Sequence, residues 1–369
     1  MAVLNRSGSR EGRVRSVFNV LVKEQPDYLV AVNTPDAYIA VSRLKACQLK
    51  VVMALHGIEP QYYRDIEEYS AVIDAVVVPS RLALHLVKSV TSFPDAHAFQ
   101  IPAGVAARES IIKPPVKPLH IVYSGRIDRD AKRVQDIPAI LKVLDQWGVQ
   151  YALTIAGDGP QRRVLETELT GMRGEIRFLG PVSKNALFDH VYQPGRVLLI
   201  TSERETGPLV AWEAMSSGML VVSSEYRGLK AEKVLHDGVN ALLFPIGDHD
   251  AAASALCQSQ NAQTYTAVAT AGQKLVQERF SEDRMMEIWC KLLNDLDAKA
   301  RNHQDSLRFD YPPDGRLARL FGHAIAERIR ELVGIEFRHT SAGGEWPHSY
   351  SSHAPSEKYL SAEKSIEWG

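Results

Sequence analysis

Residues 197–218 read VLLITSERETGPLVAWEAMSSG, and their pattern indicates the fold class. Its apolar start predicts a buried strand over Val197–Thr201, followed by a polar loop. A helix is predicted to open at about Pro208, because proline suits the first helical position. Strand, loop and helix in this order form the repeating unit of a parallel α/β sheet.

The same alternation runs through most of the chain. Short apolar runs predict further strands at Leu29–Val32, Val51–Leu55, Ala75–Pro79, His120–Tyr123, Tyr151–Ala156, Glu175–Phe178, Leu220–Ser223 and Ala241–Phe244. Helical patterns lie at Val14–Glu24, Asp136–Trp147, Glu282–Ala298 and Gly315–Val333. Continuous apolar strands separated by helices predict an α/β fold with two Rossmann-like domains.

A proline-rich connector divides the two groups of strands. The segment Lys113–Pro118 reads KPPVKP, which disfavours both helix and central strand. We therefore predict a partial N-terminal Rossmann-like domain over 1–110, a linker over 111–118 and a C-terminal domain over 119–299. Residues 300–369 are predicted to hold one helix and a disordered tail, because His, Ser, Pro and Gly accumulate there without periodicity.

Composition excludes several functional classes. The 369 residues carry a net charge of −1, without the basic excess of a nucleic-acid-binding domain. Cys47, Cys257 and Cys290 lack the number and spacing of a disulfide framework or a metal site, which favours reduced thiols and a cytoplasmic location. The polar start over Met1–Arg15 predicts no signal peptide, and no run approaches the roughly 20 apolar residues of a membrane span. A peripheral membrane contact stays open.

Two carboxylates flank the predicted start of the helix. Glu205 lies in the loop and Glu213 lies eight residues later inside the helix, so they can reach different parts of one extended ligand. The backbone over Gly207–Leu209, with Pro208 at its centre, offers a helix N-terminus to an anion such as phosphate. Glu203 is interpreted as a solvated loop charge.

Two cations follow another strand. Gly125 permits close approach, Arg126 stands at the end of the strand, and Lys132 follows after a short loop. A forked guanidinium and a point-charge ammonium suit a diphosphate. Arg133 is interpreted as a surface residue, and Asp128 and Asp130 as loop charges, so no metal site is predicted.

Two smaller features complete the pattern. Gly157 and Gly159 flank Asp158 in a turn after a strand, where glycine permits positive φ. Asp158 is interpreted as a turn or cap residue. His56 follows the strand Val51–Leu55, a position that suits a ligand contact and equally a structural histidine.

Together these motifs resemble the retaining glycosyltransferases of family 4, which have the GT-B fold with two Rossmann-like domains. Glu205 and Glu213 fit the family's pair of glutamates separated by seven residues. Gly125, Arg126 and Lys132 fit its glycine, arginine and lysine motif, and Gly157 to Pro160 fit its glycine-rich turn. The resemblance covers residues 119–297 well.

The resemblance implies a role for each residue. Arg126 and Lys132 would neutralise the leaving diphosphate, Glu205 would hold the donor sugar, Glu213 the ribose, and His56 would lie beside the donor. Gly207, Pro208, Leu209, Gly125, Gly157 and Gly159 would contribute to donor binding. The donor would be a nucleoside diphosphate sugar, used without a cofactor or metal, and the acceptor a saccharide or a lipid-linked saccharide in polysaccharide or envelope synthesis.

The N-terminal half departs from the family. About 25 residues precede Pro26, against the roughly 70 or more that further βα units require. The N-terminal domain is therefore predicted to be truncated, completed by a partner, or rearranged. This leaves open a non-catalytic nucleotide-sugar-binding protein. A Rossmann dehydrogenase is set aside, because no strand leads into a G-x-G-x-x-G fingerprint.

Overall fold

A computed structural model gives the fold of the chain. It describes residues 10–44, 49–106, 108, 110–297, 316–321, 325–326, 329, 332–333 and 354–367. The chain divides into two compact units. Unit 1 is Met1–Ile101 with Lys291–Ser365, and unit 2 is Pro102–Cys290 with Ile366–Gly369.

Unit 1 holds a parallel four-stranded sheet in the order β1-β2-β3-β4. Its strands are β1 Tyr28–Val32, β2 Lys50–Ala54, β3 Ala75–Val78 and β4 Ala98–Gln100. Its described helices are α1 Arg10–Glu24, α2 Pro35–Ser42, α3 Pro60–Tyr69, α4 Arg81–Val90, α13 Arg316–Phe321 and α14 Glu357–Glu367, with 3-10 turns at Ser70–Val72 and Asp95–His97.

Unit 2 holds a parallel six-stranded sheet in the order β10-β9-β8-β5-β6-β7. Its strands are β5 Leu119–Ser124, β6 Tyr151–Ala156, β7 Glu175–Gly180, β8 Val197–Ile200, β9 Leu220–Ser224 and β10 Leu242–Phe244. Its helices are α5 Asp136–Gln146, α6 Arg162–Glu168, α7 Lys184–Leu187, α8 Leu209–Ser216, α9 Leu229–Glu232, α10 His249–Gln258 and α11 Ala262–Arg279, with a π-helical turn at Phe188–Tyr192. The helix α12, Glu282–Asp297, begins in unit 2 and ends in unit 1.

The apolar residues of β8 explain why this sheet is buried on both faces. Val197 and Leu199 pack into one core cluster, whereas Leu198 and Ile200 pack into the other. Successive strand residues point to opposite faces, so an uninterrupted apolar strand needs two covered faces. The predicted α/β fold, with parallel strands between helices, is thereby confirmed for unit 2.

Helix α8 is fixed to unit 2 by an aromatic stack. The rings of Trp212 and Phe280 lie 4.1 Å apart at an angle of 7°. Trp212 is one residue before Glu213, so this stack sets the position from which the carboxylate projects.

Several predictions of local structure need correction. The strand β4 was not predicted, because three residues are too few to show a period. Pro208 is the N-cap of α8, and Leu209 is its first helical residue. Of the predicted disordered tail, Glu357–Glu367 is helical, and the Tyr359 hydroxyl donates to the Ile58 carbonyl at 2.5 Å in unit 1. Burying an aromatic side chain stabilises a short helix whose own sequence periodicity is weak.

The predicted linker 111–118 forms neither helix nor strand and lies within unit 2. Lys113 Nζ donates to the Gln193 carbonyl at 3.0 Å, and Arg196 Nε donates to the Pro114 carbonyl at 3.2 Å. Residues 340–353 of the predicted tail lie outside the described residues. Within the described part of the chain, none of the helices combines the length and the hydropathy of a membrane-spanning segment.

Replacing Phe280 with Ala should lower the free energy of unfolding by about 3–5 kcal/mol, because it removes a buried ring and the support of Trp212. Chemical denaturation followed by circular dichroism measures this change. Val164→Ala, on the exposed side of α6, is the control and should change it by less than about 0.5 kcal/mol. Equal effects of the two substitutions would contradict the packing of α8 described here.

Candidate functional site

The candidate site lies in unit 2, at the carboxyl edge of its sheet. The strands β5 and β8 are parallel neighbours, so their carboxyl ends meet at one edge. The loop after β5 carries Arg126 and Lys132, and the loop after β8 carries Glu205 and leads into α8. Ligands of open α/β sheets bind at such an edge.

Lys132 and Glu205, far apart in sequence, form an ion pair. Lys132 Nζ donates to Glu205 Oε1 at 2.5 Å, and Ser202 Oγ donates to the same oxygen at 2.6 Å. The Glu205 side chain is only 9% exposed, against 27% for Lys132. Glu205 Oε2 accepts no hydrogen bond from any residue that the structure describes, and an ammonium group has three donors. Both groups therefore keep capacity for a ligand.

Hydrogen bonds hold the Lys132 loop in place. Asp128 Oδ1 accepts from the backbone N–H groups of Ala131 and Lys132, at 2.9 and 3.2 Å. The two loops are joined by the Glu203 N–H to the Ala131 carbonyl and by Thr201 Oγ1 to the Lys132 carbonyl, each 2.8 Å. Asp128 is thus a turn-forming residue.

Arg126 projects from the same loop and remains half exposed, at 49%. Its Nε lies 3.8 Å from Asp128 Oδ2, and its carbonyl accepts from the Tyr123 hydroxyl at 2.6 Å. Burial, followed by the charges of Asp128 and Glu205, raises the pKa of Tyr123 far above its ordinary range, so the hydroxyl stays a donor. No direct hydrogen bond joins Arg126 to Glu205 or Glu213 in the described part of the chain.

Glu213 is held by residues from two other elements. The Tyr192 hydroxyl lies 2.9 Å from Glu213 Oε2, to which it donates, and 3.1 Å from Ser124 Oγ. Glu213 Oε1 has no hydrogen-bond partner among the residues described. Burial raises the pKa of Glu213, and the Tyr192 hydrogen bond opposes that shift. This partly buried carboxylate therefore has one oxygen fixed and one free.

Glycines allow the strand-end loops to pack backbone against backbone. Gly125 and Gly157 have φ of +143° and +138°. A Cβ on Gly157 would collide with the Gly125 carbonyl, and a Cβ on Gly159 would collide with the Ile127 carbonyl. Asp158 Oδ1 accepts from the Gly159 N–H at 2.8 Å, which is a turn contact. The role of these glycines in the structure is the close approach of two loops.

The start of α8 offers fewer backbone donors than expected, because Pro208 supplies none. Gly207 has φ of +103°, and among the described residues, apart from its chain neighbours, no atom lies within 4 Å of the place a Cβ would take. Pro208 has no N–H, so only Gly207 and Leu209 can offer backbone donors there. No side chain caps this helix.

His56 belongs to unit 1. It directly follows Leu55 at the carboxyl end of β2, and its side chain is exposed. Its backbone N–H donates to Asn33 Oδ1 at 3.4 Å.

Two residues interpreted as surface charges are in fact paired, and two participants were missed. Arg133 contacts Asp136 at 2.8 Å and Glu203 at 3.3 Å. The spacing of three residues between Arg133 and Asp136 was the available signal. Ser202 and Tyr192 were not predicted. Tyr192 carries no sequence signal, because its contacts with Ser124 and Glu213 span 68 and 21 residues.

The described residues contain no group of three or more His, Cys, Asp or Glu side chains that could hold a metal ion. Asp128 forms the turn reported above.

Comparison with known proteins gives the following matches. Residues 118–261 match the family model described as Glycosyl transferases group 1. A GalNAc-alpha-(1->4)-GalNAc-alpha-(1->3)-diNAcBac-PP-undecaprenol alpha-1,4-N-acetyl-D-galactosaminyltransferase of Campylobacter jejuni is 26% identical over 176 residues, 48% of each chain. A sulfoquinovosyl transferase of Arabidopsis thaliana is 33% identical over 136 residues, 36% of this chain and 25% of that one. The chain therefore spans about half the length of the first relative and a quarter of the second.

Solved structures show the same fold. The Anabaena protein HepE in complex with UDP-glucose matches with a TM-score of 0.63 at 18% identity, covering 78% of this chain and 82% of that one. The fold is thus the α/β GT-B fold with Rossmann-like units, as predicted from the sequence. The truncation of the N-terminal domain stays a prediction.

Replacing Glu213 with Gln should stabilise the protein at high pH. Because the pKa of Glu213 is raised above its ordinary 4.5, the native state binds this proton more tightly than the unfolded chain. Stability is therefore lost as the pH rises from 4.5 through the raised pKa. Glu213→Gln removes that loss. Its free energy of unfolding should therefore exceed that of the wild type above the raised pKa, and the difference should vanish at lower pH.

Denaturant unfolding across a pH series measures this difference. Glu168→Gln, at an exposed position of α6, is the control and should follow the wild type. A Glu213→Gln advantage that grows as the pH falls would contradict the sign of this pKa shift.

Proposed function

We propose that the protein is a glycosyltransferase that uses a nucleoside diphosphate sugar as donor. The observation that carries the proposal is the Lys132–Glu205 pair, which stands at the carboxyl edge of the sheet beside the start of α8. A cation and a helix N-terminus suit the diphosphate, and a carboxylate at the same edge suits the hydroxyl groups of the sugar. The matches to glycosyltransferases support this assignment.

In this proposal, Lys132 and Arg126 stabilise the leaving diphosphate. Negative charge grows on that group as the bond to the sugar breaks, and fixed cations stabilise the charge most at that point. Lys132 is already held in place by Glu205 and by its loop, so little reorganisation is needed. The backbone N–H groups of Gly207 and Leu209 add donors from the helix N-terminus.

The two glutamates orient the donor. Glu205 Oε2 accepts from a sugar hydroxyl while its Oε1 stays with Lys132 and Ser202. Glu213 Oε1 accepts from a ribose hydroxyl while its Oε2 stays with Tyr192. Gly125, Gly157 and Gly159 shape the loops beside the donor. His56 is a further proposed donor contact.

We further propose that transfer occurs with retention and without a metal, because two side-chain cations supply the positive charge. The acceptor is a saccharide or lipid-linked saccharide at the cytoplasmic face of the membrane, in polysaccharide or envelope synthesis. The Campylobacter relative carries an undecaprenol-linked saccharide in its name, which supports this class.

Incubating the full chain with UDP-, GDP- and ADP-sugars should release the matching nucleoside diphosphate as the sugar is transferred slowly to water, and a coupled assay measures this release. Lys132→Ala and Glu205→Gln should each lower the release by about 10²–10³-fold, because each removes an interaction with developing charge or with the sugar. Lys142→Ala, which removes an exposed cation on α5, should release as much as the wild type.

The outcomes distinguish an active glycosyltransferase from a non-catalytic nucleotide-sugar-binding protein. Binding of a nucleotide sugar without release or transfer would replace the enzyme with a non-catalytic binding protein. Full turnover by folded Lys132→Ala or Glu205→Gln would remove these residues from the mechanism.

A further inference from the structure

Arg133, the residue after Lys132, has an unusual backbone conformation. Its φ is +47°, in the left-handed region that side chains rarely adopt. The surrounding contacts must therefore stabilise this conformation.

The guanidinium of Arg133 makes three hydrogen bonds across two loops. Its Nε and one terminal nitrogen lie 2.8 and 3.2 Å from the two Asp136 carboxylate oxygens, and its other terminal nitrogen lies 3.3 Å from Glu203 Oε2. Asp136 begins α5, whereas Glu203 lies in the loop that carries Glu205. Arg133 thus joins the two loops that hold the Lys132–Glu205 pair.

The charges around Arg133 balance. Asp136 is buried, with 6% side-chain exposure, and its other neighbour is His249 Nε2 at 3.4 Å. Glu203 has a second partner in Arg227, at 3.1 Å, but Arg227 is 53% exposed. Arg133 is 27% exposed, so solvent screens its pair with Glu203 less than it screens the Arg227 pair.

We propose that Arg133 is a positioning residue that neutralises Glu203 and thereby reserves Lys132 for Glu205 and for the donor diphosphate. This inference rests on the proposed function of the same site. Glu203 lies two residues from Glu205, and its backbone N–H donates to the carbonyl of Ala131, the residue before Lys132. Without Arg133, the exposed Arg227 is the remaining charged partner of Glu203 among the described residues. The Glu203 carboxylate then competes with Glu205 for the Lys132 ammonium group and repels the diphosphate.

A double-mutant cycle tests this role on the full chain. Calorimetry first identifies which of UDP, GDP and ADP the wild type binds. Arg133→Ala should weaken that binding about tenfold, and adding Glu203→Gln should restore it to within about twofold. Rescue by removal of a charge separates neutralisation from a purely structural role, which Glu203→Gln would not repair.

Two further variants distinguish the effect of the Arg133 side chain from the effect of its backbone conformation. Arg133→Gly relieves the left-handed conformation, yet it should weaken binding as much as Arg133→Ala. Arg133→Lys keeps the positive charge but loses the paired hydrogen bonds of the guanidinium. It should bind the nucleotide more tightly than Arg133→Ala. Arg284→Ala removes another paired arginine of unit 2, 2.7 Å from Glu287, and should bind like the wild type.

Unchanged binding by folded Arg133→Ala, or failure of Glu203→Gln to restore it, would overturn the inference while the proposed function stands. A wild type that binds none of the three nucleotides would instead overturn the proposed function, and the inference with it.

Discussion

The Lys132–Glu205 ion pair is the interaction that organises the candidate site. A carboxylate that is only 9% exposed needs a partner, because an unpaired buried charge is costly. The partner comes from a different strand end, so the pair forms only when β5 and β8 are neighbours. Side-chain and backbone bonds then join the two loops, which makes the position of each charge a consequence of the sheet order.

Glu205 and Glu213 are held in the same way. In each, one carboxylate oxygen is held by the protein, Glu205 by Lys132 and Ser202, Glu213 by Tyr192. Groups fixed before a ligand arrives lose little conformational freedom on binding. The cost appears in Glu213, whose partial burial raises its pKa and makes its ionised form a burden on the folded state. A residue that weakens stability yet keeps its place is typical of a functional site.

Much of the fold followed from local sequence, because buried parallel strands are continuous apolar runs. The run Tyr151–Ala156 was predicted with its observed bounds, and the loop from Thr201 to α8 was predicted within one residue. Contacts between distant positions could not be predicted in this way. No regular spacing in the sequence predicts that Arg133 pairs with Glu203 or that Tyr192 pairs with Glu213. Both contacts depend on which strands become neighbours. The helix α14 was missed because its burial against unit 1 depends on the tertiary fold.

Hydrogen exchange on the full chain, with and without UDP, GDP and ADP, tests the central claim most directly. The nucleotide that binds should slow amide exchange in the two loops that meet at the Lys132–Glu205 pair, residues 124–134 and 202–214. Slower exchange in both segments is the predicted result. A bound nucleotide that left both segments unchanged and protected other parts of the chain would contradict the account.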